Sequence, residues 1–517
     1  MLMETSLKSQ KNASSACRTA LVVGLGASGL AAIEYLVRRG WSVRAADTRE
    51  APAGAKTAAE RFPGVDVRTG GLPESLLDGA ELVVMSPGLS PDYGAAAPLV
   101  ARARACGIEV IGEIECFARE LARLKAETGY APKVVGITGT NGKTTTTVLT
   151  TKMLEAAGLT ARAAGNIGPN AVLELLKAED AGELPDAWVL ELSSFQLATT
   201  SSLNCDAAAL LNVTEDHLDW HGSMAAYAEA KRRIFSEDTV RVLNRDDKLS
   251  AASADGVDPK RVRTFGQGSP GRPGESGLMH VDGLVWLAYV PNLPATAPTS
   301  AAARRLAGEE TPAAEALLPE GALKIQGRHN AMNALAALAL VEAVGASLAG
   351  PLRVLETYSG EPHRVEHVMT VDGVDFIDDS KGTNVGAVIA AVSGFAAQGR
   401  RVLIILGGDG KGQDFAPLGK ALSGAAACAA LIGRDAEAIG KVLVDVPHER
   451  SATLEEAVEV LWARRRPGDV LLLSPACASW DMFRDYAERS RRFIEAAERI
   501  RAREALDAPE SAGGSAS

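Results

Sequence analysis

The chain contains no Cys-x-x-Cys pair. Its six cysteines (Cys17, Cys106, Cys116, Cys205, Cys428, Cys477) are scattered along 517 residues. That excludes a short disulfide framework and reads as reduced, mostly buried thiols of a cytoplasmic protein. An excess of positive charge is also missing. A formal net charge of −11 excludes bulk binding to nucleic acid or anionic lipid, though not an anion held in a local basic pocket. No apolar run reaches the ~20 residues of a membrane span. The apolar segment 20–37 carries three glycines and Glu34 and no small-residue cleavage site follows it, so it does not read as a signal peptide. What remains is an ordinary globular composition, 46% hydrophobic and 23% charged. The chain is too long for one core, so several domains are expected.

Within that background the stretch Val134-Val-Gly-Ile-Thr-Gly-Thr-Asn-Gly-Lys-Thr144 stands out. β-Branched residues end a buried strand, a Gly-rich turn follows, and an amphipathic helix opens at Lys143 and runs to about residue 154. The turn's N–H groups and the helix's positive end suit a nucleoside triphosphate. Lys143 would reach the outer phosphates and the Thr144 hydroxyl would hold Mg²⁺. The strict P-loop spacing is absent, because Ile137 stands five residues before Gly142.

Upstream, a short strand at 20–23 leads into Gly24-Leu-Gly-Ala-Ser-Gly29, a helix, and a second strand ending at Asp47-Thr-Arg49. This Rossmann-like βαβ unit suits a dinucleotide or any nucleotide-diphosphate sugar. The strand 81–85 breaks into Ser86-Pro-Gly88, which is either turn chemistry or part of the same site. Downstream, Glu191 lies in a hydrophobic strand and calls for a cation, either Mg²⁺ or an arginine. His217 ends another strand beside Glu215, Asp216 and Asp219, which leaves open a structural role or one in metal or phosphate binding. Lys231, Arg232 and Arg233 on the helix 227–234 read as a solvated face. The stretch 291–319 reads as a mobile Pro/Ala-rich insertion. Asn330 and Asn333 fall on one face of a long helix, where capping accounts for the first amide but not the second. In the last third, three buried strands each release a polar loop at the carboxyl end, and Lys381 and Lys411 sit in two of these loops as candidate anion receptors.

These motifs, with Gly165-Asn-Ile-Gly168, Glu191-Leu-Ser-Ser-Phe-Gln196, Asn212-Val-Thr-Glu-Asp-His217, Gly327-Arg-His-Asn-Ala-Met-Asn333, Pro362-His-Arg364, Asp379-Ser-Lys-Gly-Thr-Asn384, Gly407-Gly-Asp-Gly-Lys411 and Ser474-Pro-Ala-Cys-Ala-Ser479, resemble those of the Mur ligase family. Within it they resemble the members that add D-glutamate. The resemblance runs from about residue 17 to 505. It implies an α/β fold of three domains: Rossmann-like (17–112), P-loop-type (113–360, with an insertion at about 266–320) and Rossmann-like again (361–505), between disordered tails at 1–16 and 506–517. It implies an ATP- and Mg²⁺-dependent ligase that joins D-glutamate to UDP-N-acetylmuramoyl-L-alanine through an acyl phosphate, in peptidoglycan precursor synthesis. The expected enzyme is a cytoplasmic monomer with no nucleic-acid partner and no membrane span.

Residue by residue, the resemblance makes Ala27, Ser28, Asp47, Thr48, Arg49, Ser86, Asn166 and His217 contacts of the UDP substrate. ATP falls to Gly139, Thr140, Asn141, Gly142, Lys143, Thr144, Thr145, Asn330, Asn333, Arg364 and Asp379. A first Mg²⁺ falls to Thr144 and Glu191 and a second to His217, and Lys231 becomes a metal-binding anion as a carbamate. Lys143, His217 and Lys231 are the implied catalytic residues. D-Glutamate falls to Thr383, Lys411, Ser479, Trp480 and Tyr486, where the family pattern has Leu and Phe at the last two.

Overall fold

The computed structural model describes residues 18–292, 312–325 and 327–507. The expected tail 1–16, most of the tail 506–517 and residues 293–311 of the insertion lie outside them. The chain forms three sheets within two compact units. Among the described residues, one unit comprises 18–131, 164–184 and 194–203, and the other 132–163, 185–193 and the described residues from 204 onward.

The first unit holds a parallel sheet of β1 (Thr19–Val23), β2 (Ser42–Asp47), β3 (Asp66–Thr69), β4 (Ala80–Met85) and β5 (Glu109–Gly112), in the order β3-β2-β1-β4-β5. The strand order reverses between β1 and β4, and this switch point opens a crevice at their carboxyl ends. Leu21, Val23, Val83 and Met85 are buried against the helix Ala97–Ala105. The helix Glu113–Thr128 belongs to this unit. Its buried Glu120 pairs with Arg39 and Arg123, and Glu115 accepts from the Ser201 and Ser202 N–H groups at 2.8 and 2.9 Å.

The second unit holds the other two sheets. The nine-stranded one has the order β14-β13-β12-β11-β10-β9-β6-β8-β7. Its strands are β6 (Lys133–Thr138), β7 (Ala161–Gly165), β8 (Ala187–Glu191), β9 (Ala207–Leu210), β10 (Val240–Asn244), β11 (Val262–Phe265), β12 (Glu275–Val281), β13 (Leu284–Tyr289) and β14 (Glu315–Pro319). The described end of the supposed mobile insertion is therefore ordered: Glu315–Pro319 pairs antiparallel with β13, and Leu318 is buried. Backbone pairing and a buried leucine override the Pro/Ala composition there. The helices Lys143–Ala156 and Arg328–Ala343 pack over this sheet through Leu149, Met153, Leu335 and Leu338.

The six-stranded sheet runs β15-β16-β20-β17-β18-β19, comprising β15 (Glu366–Val371), β16 (Val374–Asp378), β17 (Val402–Gly407), β18 (Ala426–Ile432), β19 (His448–Arg450) and β20 (Val470–Leu473). All its pairings are parallel except β15 with β16. Both faces are covered, which is why β17 and β20 are continuous apolar runs. Among the described residues no helix is long and apolar enough to cross a membrane.

Candidate active site

In the first unit the crevice is built by close backbone approach. A Cβ on Gly29 would stand 1.8 Å from the Gly24 carbonyl oxygen, so the helix Ala27–Arg38 can start there only from glycine. Ser86 closes the same turn, its N–H donating to Val23 O at 2.8 Å and its hydroxyl to Gly24 O at 2.9 Å. The turn reading of Ser86 therefore holds, and the residue still lies at the switch point. Asp47 is buried. It accepts the Leu25 N–H at 2.8 Å and pairs with Arg49 at 2.8 Å. The Arg49 guanidinium, with help from the Leu25 amide, holds its carboxyl down at about 2. Thr48 and Ser28 are half-buried, Ala27, Arg49 and Asn166 exposed. Asn170, in the loop after Asn166, reaches the Ser28 hydroxyl at 3.4 Å. Glu113 anchors the first turn of the following helix, Ala171–Ala181, by accepting the Val172 N–H at 2.7 Å, and burial pushes its carboxyl up to about 7.

In the second unit β6 delivers the Gly-rich loop to the helix Lys143–Ala156, whose N-terminus has no side-chain cap. Its first-turn N–H groups thus keep their capacity for an anion. Gly142 is left-handed (φ 84°), and a Cβ there would meet the Asn333 amide oxygen at 2.3 Å. Asn212 clamps the loop from outside: its amide oxygen accepts the Asn141 N–H at 2.8 Å, and its Nδ2 donates to Asn141 O at 3.1 Å. Thr140 is tied to Thr214 and to the Tyr227 hydroxyl, both at 3.1 Å. Thr144 and Thr145 are buried. The Lys143 Nζ donates to Gly139 O and Thr140 O at 2.9 Å each. Burial lowers its pKa, with Glu191 opposing.

Lys231 is not solvated, as the charge run suggested. It is 1% exposed, donates to Gly139 O at 2.9 Å and lies 4.4 Å from the Tyr227 ring centroid. Burial, reinforced by the Lys143 charge, holds its pKa well below the ordinary lysine value. Neighbouring Arg232 and Arg233 are half-buried and exposed. Side-chain charges on a helix do not reveal which face is covered, so only packing beneath the phosphate loop distinguishes this lysine.

His217 is half-buried and left-handed (φ 55°), 3.5 Å from Asp216. Burial lowers its pKa to about 4, so the imidazole is neutral at pH 7. Glu191 is 2% exposed at the end of β8. The Thr144 hydroxyl and the buried Glu191 carboxylate are oxygen ligands of the kind Mg²⁺ takes, and the neutral His217 imidazole could hold a second cation.

Loops of the six-stranded sheet reach this loop directly. Arg364 Nη2 donates to the Thr144 hydroxyl at 2.7 Å. Asn384 exchanges amide hydrogen bonds with Asn141 at 3.0 and 3.3 Å. Lys411, left-handed at φ 53°, pairs with Asp216 at 2.9 Å. Burial raises the Asp216 carboxyl, but Lys411 and His217 outweigh it and keep it below the usual range. Asp379 takes the Ser474 hydroxyl at 2.6 Å, yet burial pushes it up to about 7. Asn333 donates to Asn330 at 3.2 Å within the helix whose N-cap is Gly327, so Asn330 is not the cap. Thr383 follows Lys381, whose ammonium lies 5.1 Å from the Tyr486 ring. Ser479 is buried, Tyr486 39% exposed and Trp480 72% exposed. Asp216, Asn212, Asn384, Tyr227 and His363 were not assigned roles from sequence. All but Tyr227 stand inside the motifs of the sequence, which is the signal that was there.

Residues 18–112 match the Mur ligase MurD-like N-terminal domain, 137–275 the Mur ligase middle domain and 363–477 the Mur ligase glutamate ligase domain. The chain is 51% identical over 486 residues to the UDP-N-acetylmuramoylalanine–D-glutamate ligase of Ralstonia nicotianae, covering 92% of this chain and 96% of that one. It belongs to the Mur ligase family. This Mur ligase is likewise 51% identical over 492 residues to the ligase of the same name from Burkholderia pseudomallei, at 93% and 96% coverage. Among solved structures, the Mur ligase fold is shared with the MurF ligase of Thermotoga maritima in complex with ADP (TM-score 0.56, 17% identity, 95% and 96% coverage). It is also shared with the UDP-N-acetylmuramate–alanine ligase MurC of that organism (TM-score 0.53, 21% identity, 93% and 99% coverage).

Proposed function

We propose that this Mur ligase joins D-glutamate to UDP-N-acetylmuramoyl-L-alanine in an ATP-driven step of peptidoglycan precursor synthesis, as a cytoplasmic monomer. The observation that carries the reading is 51% identity to D-glutamate ligases across 96% of their length. The geometry agrees with it, because loops of the six-stranded sheet converge on an uncapped phosphate-binding helix within one compact unit.

In this reading the first unit holds the UDP moiety through the turn after β1, with Ala27, Ser28, Asp47, Thr48, Arg49 and Ser86, and Asn166 contacts the muramoyl-peptide side. In the second unit the loop 139–142, Lys143, Thr144 and Thr145 take the ATP phosphates, and Asn330, Asn333, Arg364 and Asp379 complete the nucleotide site. The substrate carboxylate attacks the γ-phosphorus in line, releasing ADP and leaving an acyl phosphate. The amine of D-glutamate, received by Thr383, Lys411, Ser479, Trp480 and Tyr486, then displaces phosphate to form the amide. The chain's part is alignment and charge neutralisation. Lys143 follows the charge on the transferring group, and His217 binds as a neutral ring. Thr144 and Glu191 would hold a first Mg²⁺ and His217 a second, and these ions would spread the phosphoryl charge. Lys231 joins them as a carbamate. Its buried amine has no carboxylate at ion-pair distance among the described residues, and addition of CO₂ with loss of a proton turns it into the anion a cation site needs.

A panel of L-alanine, D-glutamate, L-glutamate and the diamino acid L-lysine, each offered with UDP-N-acetylmuramoyl-L-alanine and ATP, tests the proposal by phosphate release. Stimulation by D-glutamate alone is expected. Equal stimulation by another amino acid removes the substrate assignment, and release independent of any amino acid removes the ligase reading.

A further inference from the structure

Arg364 reaches Thr144 from an unusual backbone. The residues on either side of it, His363 (φ 67°) and Val365 (φ 50°), are both left-handed, and neither is glycine. A β-branched residue in that region is strained and persists only where its surroundings impose it. Those surroundings are specific. The His363 N–H donates to Glu366 Oε2 at 2.8 Å, and its carbonyl accepts from the Lys381 N–H at 3.2 Å. The Val365 N–H reaches Asp379 Oδ1 at 3.3 Å. The imidazole Nδ1 stands 2.9 Å from Asp378 Oδ2 and 2.8 Å from the Ser490 hydroxyl, which itself donates to Asp378 Oδ2 at 2.6 Å. With the proton on Nδ1, every member of this triangle is satisfied. Asp378 is 0% exposed and its other oxygen takes the Ser380 hydroxyl and N–H. His363, Glu366 and Asp378 are close enough to resemble a cation site. Nδ1 and both Asp378 oxygens are engaged by one another and by the two serines, and Glu366 Oε2 takes the His363 N–H, which is the pattern of a brace.

We infer that the His363–Asp378–Ser490 triangle is a positioning device for the nucleotide site: it holds the backbone kink that aims the Arg364 guanidinium at the Thr144 end of the phosphate loop. This rests on the reading of that loop as a nucleotide site and adds residues that touch no substrate. A buried carboxylate fixing a ring through Nδ1 gives a rigid mount, and a shift of ~1 Å at a group that orients phosphates can cost ~10²-fold in rate.

Binding of a fluorescent ATP analogue to the full chain tests the inference without depending on which amino acid is ligated. His363→Ala should weaken binding about tenfold. His363→Asn, whose amide N–H can still reach Asp378, should recover most of that loss. In an Arg364→Lys background His363→Ala should add less than about twofold, since both act through one group. Steady-state kinetics on the same variants should show KM for ATP rising while KM for the amino acid stays within about twofold. Parent-like binding by His363→Ala, or an effect that multiplies in full with Arg364→Lys, overturns the inference. If His363→Ala does not fold, Ser490→Ala removes only one hydroxyl and must weaken binding about threefold or more. Parent-like binding by that variant also overturns the inference. Failure of the ligase reading would instead appear as normal nucleotide binding with no amide product.

Discussion

Single side chains here differ most in how water treats them. Lys143 and Lys231 share one acceptor, the Gly139 carbonyl. The first is explained by its place at the start of a helix, the second only by what lies above it. Lys143→Ala should retain the melting curve while turnover falls roughly 10²–10³-fold, as expected when a charge-stabilising donor is removed; phosphate release alongside calorimetry checks this. Glu113 gives a second test, through pH. Its folded-state pKa of about 7 lies above its ordinary value of 4.5, so the folded protein binds the extra proton. Stability is therefore greatest below the ordinary value and falls as pH rises through 7. Glu113→Gln should remove that slope and raise the stability of the first unit at pH 8 by on the order of 3 kcal/mol. Urea melts at pH 5 and pH 8 would show it, and an unchanged slope would put the proton elsewhere.

At the level of elements, the strand–loop–helix around Lys143 was legible because its signals are contiguous: β-branched residues, glycines, then Lys-Thr at a helix start. The Arg364 brace was not, because Ser490 lies 127 residues from His363 and no local pattern joins them. Strand β14 was misread for a related reason, since its order comes from the neighbour it pairs with. Gly142 allows an elemental test. Its positive φ and the nearby Asn333 oxygen leave no room for a methyl group. Gly142→Ala should destabilise the second unit by about 1–2 kcal/mol and weaken nucleotide binding at least about tenfold. Titration with an ATP analogue and thermal melting separate the two effects.

For the molecule as a whole, three sheets could be anticipated from the succession of apolar strands and helices. Which helix joins which sheet could not. The helix Glu113–Thr128 is held in the first unit by the Arg39 and Arg123 pairs of Glu120 and by backbone donors to Glu115, all contacts that periodicity does not encode. The division into two compact units predicts separable binding. Asp47→Ala should weaken UDP-substrate binding by about tenfold or more, as loss of a charge-assisted hydrogen bond would, and leave the dissociation constant for an ATP analogue unchanged. Calorimetry with each ligand decides it, and a joint loss would show that Asp47 serves more than the first unit.

The pairs Arg364–Thr144, Asn384–Asn141 and Lys411–Asp216 place the proposed amino-acid receptor and the proposed nucleotide cradle on one set of polar stitches. Any influence of one guest on the other must then run equally in both directions. The amino acid's apparent affinity should change when ADP replaces an ATP analogue, and the nucleotide's preference should shift by the same factor when the amino acid is added. The strength of that coupling, in such a protein, is the same whichever guest arrives first.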